Sequence, residues 1–465
     1  MGLRIGNLTF GGISSGLPTQ QIIEQLVSLE RRPITLLENQ KTQFNTRLEI
    51  FSDLAEKTRT LRDRLRSLDN LALLGNSPSA DEEFSRFSAT STDEDIVRAT
   101  ATGSALPTTL NVRVTALATS QRVISQGFAS EDSAVGTGTF DIVVGSGPGT
   151  QIAIDSSNNS VTGLVSAIND ADAGVTASIL NDGSGSPIRI VIQGNETGSA
   201  NTLTLFENLS GGTDPVFTTT QAADDATIVL DPDGANPITI DSASNTFENL
   251  LTGVSLTVSE LSPTNTSERI TIAPDIDAIV EAIGEIVSAF NDVTSVIQGQ
   301  FDVDPATNRG GPLIGDSTLS SLKNRLTSVI ASQFGTSGII SAGQIGISLG
   351  DGAVLTLDED ELRAQLESDF DGVRDLFAGS DGLADRLRSV ADAFVDTVDG
   401  ALVSRINGTS RSIQDLDEQI ANAETRLDLV EENLVKQFAA LERIVSEIQI
   451  QGNFLAQFVT QQQQR

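Results

Sequence analysis

The sequence predicts an α+β fold: a helical coiled-coil leg formed by the N- and C-terminal segments, with β-rich head domains inserted between them. Three observations predict it. First, seven successive positions of one heptad near the C-terminus carry only Ile or Leu: Ile413, Ile420, Leu427, Leu434, Leu441, Ile448 and Leu455. Their half-heptad partners are Leu416, Ala423, Val430, Gln437, Ile444, Gln451 and Phe458. Such a strict repeat gives a helix one narrow apolar stripe, which must be buried on another helix. Second, the other long helical pattern lies at the opposite end of the chain. Third, the period changes in between to the alternating, Gly-, Thr- and Asn-rich pattern of strands and turns.

The elements follow in order. Residues 1–43 form a terminal segment, expected to be mobile, whose helix is broken by proline. Pro18 suits the first turn of a helix carrying Ile22, Ile23, Leu26 and Leu29. Pro33 interrupts it, because an interior proline removes a hydrogen bond and clashes with the preceding turn. A second helix is predicted from Ile34 to Leu74, with residues 44–78 as the N-terminal half of the leg. Its stripe is Phe44, Leu48, Phe51, Leu54, Thr58, Leu61, Leu65 and Leu68, and the spacing shortens near Phe51–Leu54. Gly75, Asn76 and Pro78 stop it.

Strands are predicted around Thr109–Thr115, Thr139–Val144, Pro187–Gln193 and Gly253–Ser259, with one short helix at Val161–Asp170. Residues 79–125 and 215–267 are read as an inner head domain and 126–214 as an outer one. The remainder, 268–465, supplies the C-terminal half of the leg. It holds helices at Asp275–Gln298 and Thr318–Phe334, the second capped by Asp316 or Ser317. A hairpin turns at Asp351-Gly352, and Asp358 begins a capping-box spacing. Helix then runs to Phe458, broken near Gly379–Gly382, Gly400 and Gly408.

Composition narrows the function. The 465 residues allow about three domains. A net charge of −34 gives nucleic acid no electrostatic basis for binding and makes an anionic membrane repulsive. No apolar run approaches the length of a membrane span, and the first twenty residues have no secretory core; on these rules alone the protein reads as cytoplasmic. The chain has no His, Cys, Trp or Tyr. The usual base at neutral pH, thiolate nucleophiles and imidazole or thiolate metal ligands are therefore missing. No cofactor is expected.

Paired acids such as Asp224–Asp225 and Asp358–Asp360 resemble the two carboxylates of a glycosidase. Among 63 acidic residues such pairs arise by chance, so the chain reads as a non-enzyme. Asp231-Pro-Asp233-Gly234 starts like a calcium loop but lacks the distal ligands, and is read as a turn. Arg31-Arg32 suits contact with an acidic neighbour or plain solvation.

Several segments carry a resemblance. Ile13–Lys41, Ala273–Asp292, Gly311–Leu322, Gln344–Leu362, Val373–Phe377 and Arg426–Ile448 follow, in order, the pattern of the flagellar cap family, also called hook-associated protein 2. Leu164–Asp182 resembles the IN motif shared by flagellins and hook-associated proteins, and Ser244–Val258 a further cap segment. Two departures stand out: Pro18 follows the Ser-Gly-Leu triplet where the family has an acid, and Phe290 replaces a tyrosine.

The resemblance implies export unfolded through the flagellar type III apparatus, without a cleaved signal, and an extracellular place at the filament tip. It implies a homo-oligomeric ring that retains flagellin and guides its folding and insertion. The implied partners are self, flagellin, hook–filament junction proteins, the export apparatus and an export chaperone, without membrane insertion. The assembly residues read from the stripes are Phe44, Leu48, Phe51, Leu61, Leu65, Ile413, Leu416, Ile420, Leu427, Val430, Leu434, Leu441, Ile444, Ile448 and Leu455. The C-terminal stripe is expected to pair with the N-terminal helix of its own chain, with packing between subunits along other stretches. Two alternatives share these features: a hook–filament junction protein or flagellin-like subunit, and a coiled-coil-stalked surface adhesin.

Overall fold

The computed structural model describes residues 18–68, 83–304, 309–334, 338–379 and 381–462. The expectations for residues 1–17 and for the stop at Gly75–Pro78 lie outside these. The helices are α1 (Thr19–Glu30), α2 (Arg32–Arg66), α3 (Val161–Asp170), α4 (Ile276–Phe301), α5 (Ser317–Ile330), α6 (Glu359–Ser368), α7 (Phe370–Ala378), α8 (Leu383–Val395) and α9 (Ala401–Gln462). The fold is mixed, with helical ends and a β-rich middle, as the sequence predicts. It divides into a helical unit drawn from both ends and a β-rich unit drawn from the middle, with the divisions near residues 70 and 280.

In the helical unit Pro33 does less than expected. Only Arg31 separates α1 from α2, and its backbone is itself helical (φ −77°, ψ −18°). Pro33 falls at the start of α2, where a missing N–H is tolerated. Leu54, Leu61 and Leu65 of α2 are fully buried, as are Ile283, Phe290 and Val293 of α4 and Leu319 and Leu322 of α5. Ion pairs Arg64–Glu285 (2.7 Å) and Lys57–Asp292 (3.6 Å) tie α2 to α4.

The caps read from sequence are present. The Asp316 carboxylate accepts from Thr318 and Leu319 N–H, and that of Asp358 accepts from Glu361 N–H. Two short strands, Ile347–Leu349 and Leu355–Leu357, form the expected hairpin. Its turn passes through Gly352 at φ 74°, a conformation costly for any side chain with a Cβ. The Asn291 side chain grips this hairpin from α4: its Oδ1 accepts Leu355 N–H (2.7 Å) and its Nδ2 donates to Leu355 C=O (2.8 Å). The break expected at Gly408 is absent; Gly408 lies inside α9 with open space around it. A lone glycine weakens a helix by only about 1 kcal/mol, which the neighbouring turns absorb.

The β-rich unit holds β1 (Phe87–Ser91), β2 (Val97–Ala101), β3 (Thr108–Ala116), β4 (Arg122–Ser125), β5 (Thr137–Val144), β6 (Thr150–Ile154), β7 (Val175–Asn181) and β8 (Ile188–Gly194). It continues with β9 (Leu203–Ser210), β10 (Phe217–Gln221), β11 (Ala226–Leu230), β12 (Ile238–Ser242), β13 (Thr246–Leu251), β14 (Val254–Val258) and β15 (Glu268–Pro274). One core lies between the antiparallel sheets β1-β15-β3-β11-β12 and β13-β14-β2, around Val112, Ile228, Leu256 and Ile270. A second lies among β10-β4-β8-β7, β6-β5-β9 and α3, around Phe140, Leu164, Ile168 and Ile190.

The chain crosses between the two cores at about residues 118–123 and 217–226, not at the expected 125 and 215. Val123 and Phe217 alternate into the second core, so β4 and β10 belong with it. The inner core also runs past residue 267, because Ile270 and Ile272 of β15 fill it. Between the cores, Thr119 and Asp224 exchange backbone hydrogen bonds (2.9 and 3.1 Å), and Asn245 spans both backbone groups of Ala118.

Candidate assembly surface

The seam of the helical leg is built from two antiparallel partners. The Arg405 guanidinium of α9 lies over the Phe51 ring of α2, 5.8 Å from its centroid, and Lys41 of α2 pairs with Asp417 of α9. As numbers fall along α2 they rise along α9. Arg405 also holds Asp316 (2.6 Å) and donates to the Thr318 hydroxyl, which anchors the start of α9 on α5.

The face of α2 turned to α9 keeps a three-four spacing through the α1–α2 joint: Ile23, Val27, Ile34, Leu37, Lys41, Phe44, Leu48 and Phe51. Ile34 and Phe51 are buried, while Phe44 and Leu48 are half-buried, as the side of a two-helix seam would be. The shortened spacing after Phe51 coincides with a change of partner. Beyond Phe51 the register passes the start of α9, and α2 packs on α8 and pairs with α4 through Lys57–Asp292 and Arg64–Glu285. Leu61 and Leu65 are therefore bundle-core residues rather than partners of the α9 stripe. A stripe that must meet several helices needs to be broader than a coiled-coil seam.

On α9 the expected stripe divides in two. Leu416 and Leu427 are buried, and Ile413, Ile420, Val430 and Leu434 are half-buried. Leu441, Ile444, Ile448 and Leu455 are 42, 54, 62 and 62% exposed. The register explains the division: it sets Pro18 alongside roughly residue 440, because both helices rise equally per residue. Past that point no described residue covers the stripe. Gln437 and Gln451 are also exposed.

Sequence reasoning missed a second apolar line on the same N-terminal helices. Leu26, Leu29 and Leu36 are 38, 51 and 69% exposed. With Pro33 between them they keep heptad spacing, about 100° around the helix from the seam. Arg31 and Arg32 are exposed at the same place and form no ion pair with a described residue. The alternating Ile/Leu pairs of residues 22–37 were the signal available in the sequence.

The acidic pairs have structural duties. Asp225 accepts from the Ser199 hydroxyl and N–H (both 2.7 Å), and these bonds hold its carboxyl below the usual range. Asp224 Oδ1 accepts Asp225 N–H, and Asp358 caps α6. In the Asp231–Gly234 turn, Asp231 C=O accepts Gly234 N–H (2.9 Å) and Asp233 pairs with Arg113 (3.0 Å). Among the described residues no three carboxylates converge as a metal site, and no helix is long and apolar enough to cross a membrane.

The IN motif acquires a physical role. Ile168 is fully buried, while the Asn169 side chain takes both backbone groups of Ala177, accepting its N–H (2.8 Å) and donating to its C=O (2.9 Å). Ile168 thus packs α3 into the core and Asn169 locks β7 to it.

A two-helix seam from the two chain ends and a β-rich middle define the class, a mixed fold with helical termini. Comparison with known proteins narrows the class. Residues 15–121 match the family model described as flagellar hook-associated protein 2 N-terminus, and residues 223–450 match the corresponding C-terminus. This chain belongs to the flagellar hook-associated protein 2 family.

It is similar to the B-type flagellar hook-associated protein 2 of Pseudomonas aeruginosa, 29% identical over 94% of this chain and 95% of that protein. The flagellar hook-associated protein 2 of Escherichia coli K12 is 26% identical over 96% and 97%. The crystal structure of the flagellar cap protein D1-D2-D3 domains from Escherichia coli superposes with a TM-score of 0.57 at 25% identity. It covers 78% of this chain and 99% of that one.

Proposed function

We propose that this protein is a non-enzymatic cap of the bacterial flagellar filament. In this reading it forms a homo-oligomer at the filament tip, outside the cell. There it retains exported flagellin and guides its folding and insertion. The observation that carries the reading is the pair of family matches at the two ends of the chain, which meet in space as the α2–α9 seam. Hook–filament junction proteins, the type III export apparatus and an export chaperone are its further proposed partners. The open stripe at Leu441–Leu455 supports an assembly role, since an apolar helix face left in water calls for a partner.

The test is light scattering of the full-length protein across concentration, with negative-stain images, followed by addition to cap-deficient filaments with flagellin. A closed oligomer that restores elongation is the expected result. A monomer at every concentration, with no effect on elongation, would refute the reading.

A second reading, adhesion through the β-rich unit, draws on the exposed Phe206, Val216 and Leu180. Binding of the full chain to a glycan array that falls with Phe206→Ala would support it. Equal binding by the variant would count against it.

A further inference from the structure

The helical unit has two apolar surfaces that its own chain leaves uncovered among the described residues. One is the stripe Leu26, Leu29 and Leu36 on α1–α2. The other is the end of α9, Leu441, Ile444, Ile448 and Leu455. They cannot meet within one molecule. The Lys41–Asp417 and Phe51–Arg405 contacts fix the register and place the end of α9 beyond Pro18. The α1–α2 stripe in turn faces about 100° away from α9.

Their chemistry is complementary. Arg32 stands three residues after Leu29 and four before Leu36, so it shares their face, with Arg31 beside it. A cation in the first turn of a helix opposes the helix dipole, so Arg32 gains nothing from α2 itself. On α9, Glu431 and Glu447 occupy the positions flanking the stripe, where charge selects a coiled-coil partner. Residues 415–447 carry nine acids against three bases. The shorter face fits within the longer, about 15 Å for Leu26–Leu36 against about 21 Å for Leu441–Leu455 at 1.5 Å per residue.

We propose that the α1–α2 stripe of one copy docks on the exposed end of α9 of a second copy, with Arg31 and Arg32 against the acids that flank the α9 stripe. The inference rests on the homo-oligomeric reading above and gives it an interface. Because the two faces differ, the contact is heterologous: each copy offers one face and accepts the other. A heterologous contact closes into a ring when its rotation permits. A helix pair presenting two seams, one for its own chain and one for a neighbour, would link every copy to two others.

The absence of cysteine makes the test clean. One full-length preparation carries Leu29→Cys and a second, of different tagged size, carries Ile448→Cys. Both sites are exposed, so neither change disturbs a core. The two are mixed and mildly oxidised. The expected product is the mixed disulfide dimer, at least several-fold above either like dimer. It should fall several-fold when Arg31→Glu and Arg32→Glu are added to the first copy, and recover when Glu447→Arg is added to the second.

A mixed yield no higher than the like dimers would overturn the proposal. So would a mixed product seen only after deletion of residues 1–17, which would assign one of the stripes to that segment. Light scattering of the unmodified chain separates the two failures. A ring without the mixed crosslink overturns this interface alone, whereas no ring overturns the cap reading as well.

Discussion

The two halves of α2 differ in how many neighbours they satisfy. From Phe51 to Leu65 its apolar side chains are nearly or fully buried, where α2 packs on α8 and forms ion pairs with α4. From Arg32 to Leu48 it packs, among the described residues, on α9. There its seam residues Phe44 and Leu48 are half-buried, and Leu36 faces water. One helix thus passes from a folding core to a half-buried seam without a break in secondary structure. The difference teaches that an unbroken heptad pattern reports that a face will be buried, and leaves open by which chain.

Truncation should separate the two halves most sharply. Leu61→Ala removes a fully buried side chain and should cost about 2–5 kcal/mol in urea unfolding of the monomer. Leu441→Ala, at a site 42% exposed, should change monomer stability by less than about 0.5 kcal/mol while lowering the oligomer mass at a given concentration. Equal losses of stability would erase the distinction.

The β-rich unit offers a second contrast, since its sheets seal their cores without a partner. Asn169→Ala would leave the N–H and C=O of Ala177 unpaired, at about 1–3 kcal/mol of stability, read from the unfolding of the full chain. Oligomer mass should not change, in contrast to Leu441→Ala. In the same unit Glu268 is 95% buried, from its 5% exposure, and its Oε1 has no hydrogen-bond partner among the described residues. It pairs across the sheet with Val112. Glu268→Leu should therefore stabilise the protein by about 1–3 kcal/mol in the same assay. A loss would mean that the carboxylate has a partner in solution.

How much of this was legible in the sequence depends on the kind of signal. Heptad spacing at Ile413–Leu434 and capping chemistry at Asp316 and Asp358 are local, and the structure carries them as read. The direction of the α2–α9 pairing also followed, because two stripes at opposite chain ends have few other ways to meet. The end of that pairing near residue 440, among the described residues, does not follow. It depends on the register set by Lys41–Asp417 and Phe51–Arg405, which is a long-range fact. Leu61 and Leu65 read as leg residues because periodicity cannot distinguish one partner helix from two. The boundaries at 125 and 215 missed β4 and β10 because strands of four and five residues give too short an alternation to assign to one sheet. The IN motif was recognised as a pattern, but only coordinates show its asparagine spanning a backbone pair.

Electrostatics give the smaller effects. Lys41→Met breaks the cross-helix ion pair with Asp417, whose partners are both partly exposed. It should change stability by no more than about 1 kcal/mol, and less in high salt. At Glu207, which is largely exposed, partial desolvation followed by repulsion from Asp214 raises the carboxyl above its ordinary value. A raised carboxyl favours the folded state only while protonated, so that stabilisation is present in acid and is lost as pH rises through the folded value. Glu207→Gln should then raise the midpoint of thermal unfolding slightly at neutral pH, with the gain vanishing below the ordinary carboxylate range. By the opposite sign, Arg189 and the Ser184 N–H and hydroxyl hold Asp182 at about 2. Its contribution is complete above the ordinary carboxylate value and fades only as pH falls towards about 2.

Pairing of α9 with the described residues of its own chain ends near residue 440, and the proposal is that a second copy completes the remaining stripe. Hydrogen–deuterium exchange of the full chain, at concentrations below and above assembly, tests it directly. Slow exchange is expected at residues 401–435 under both conditions. At 441–455 fast exchange is expected in the dilute protein and slow exchange in the assembled one, because an isolated helical end of that length is marginal in water. Equal, concentration-independent protection along the whole of α9 would contradict it.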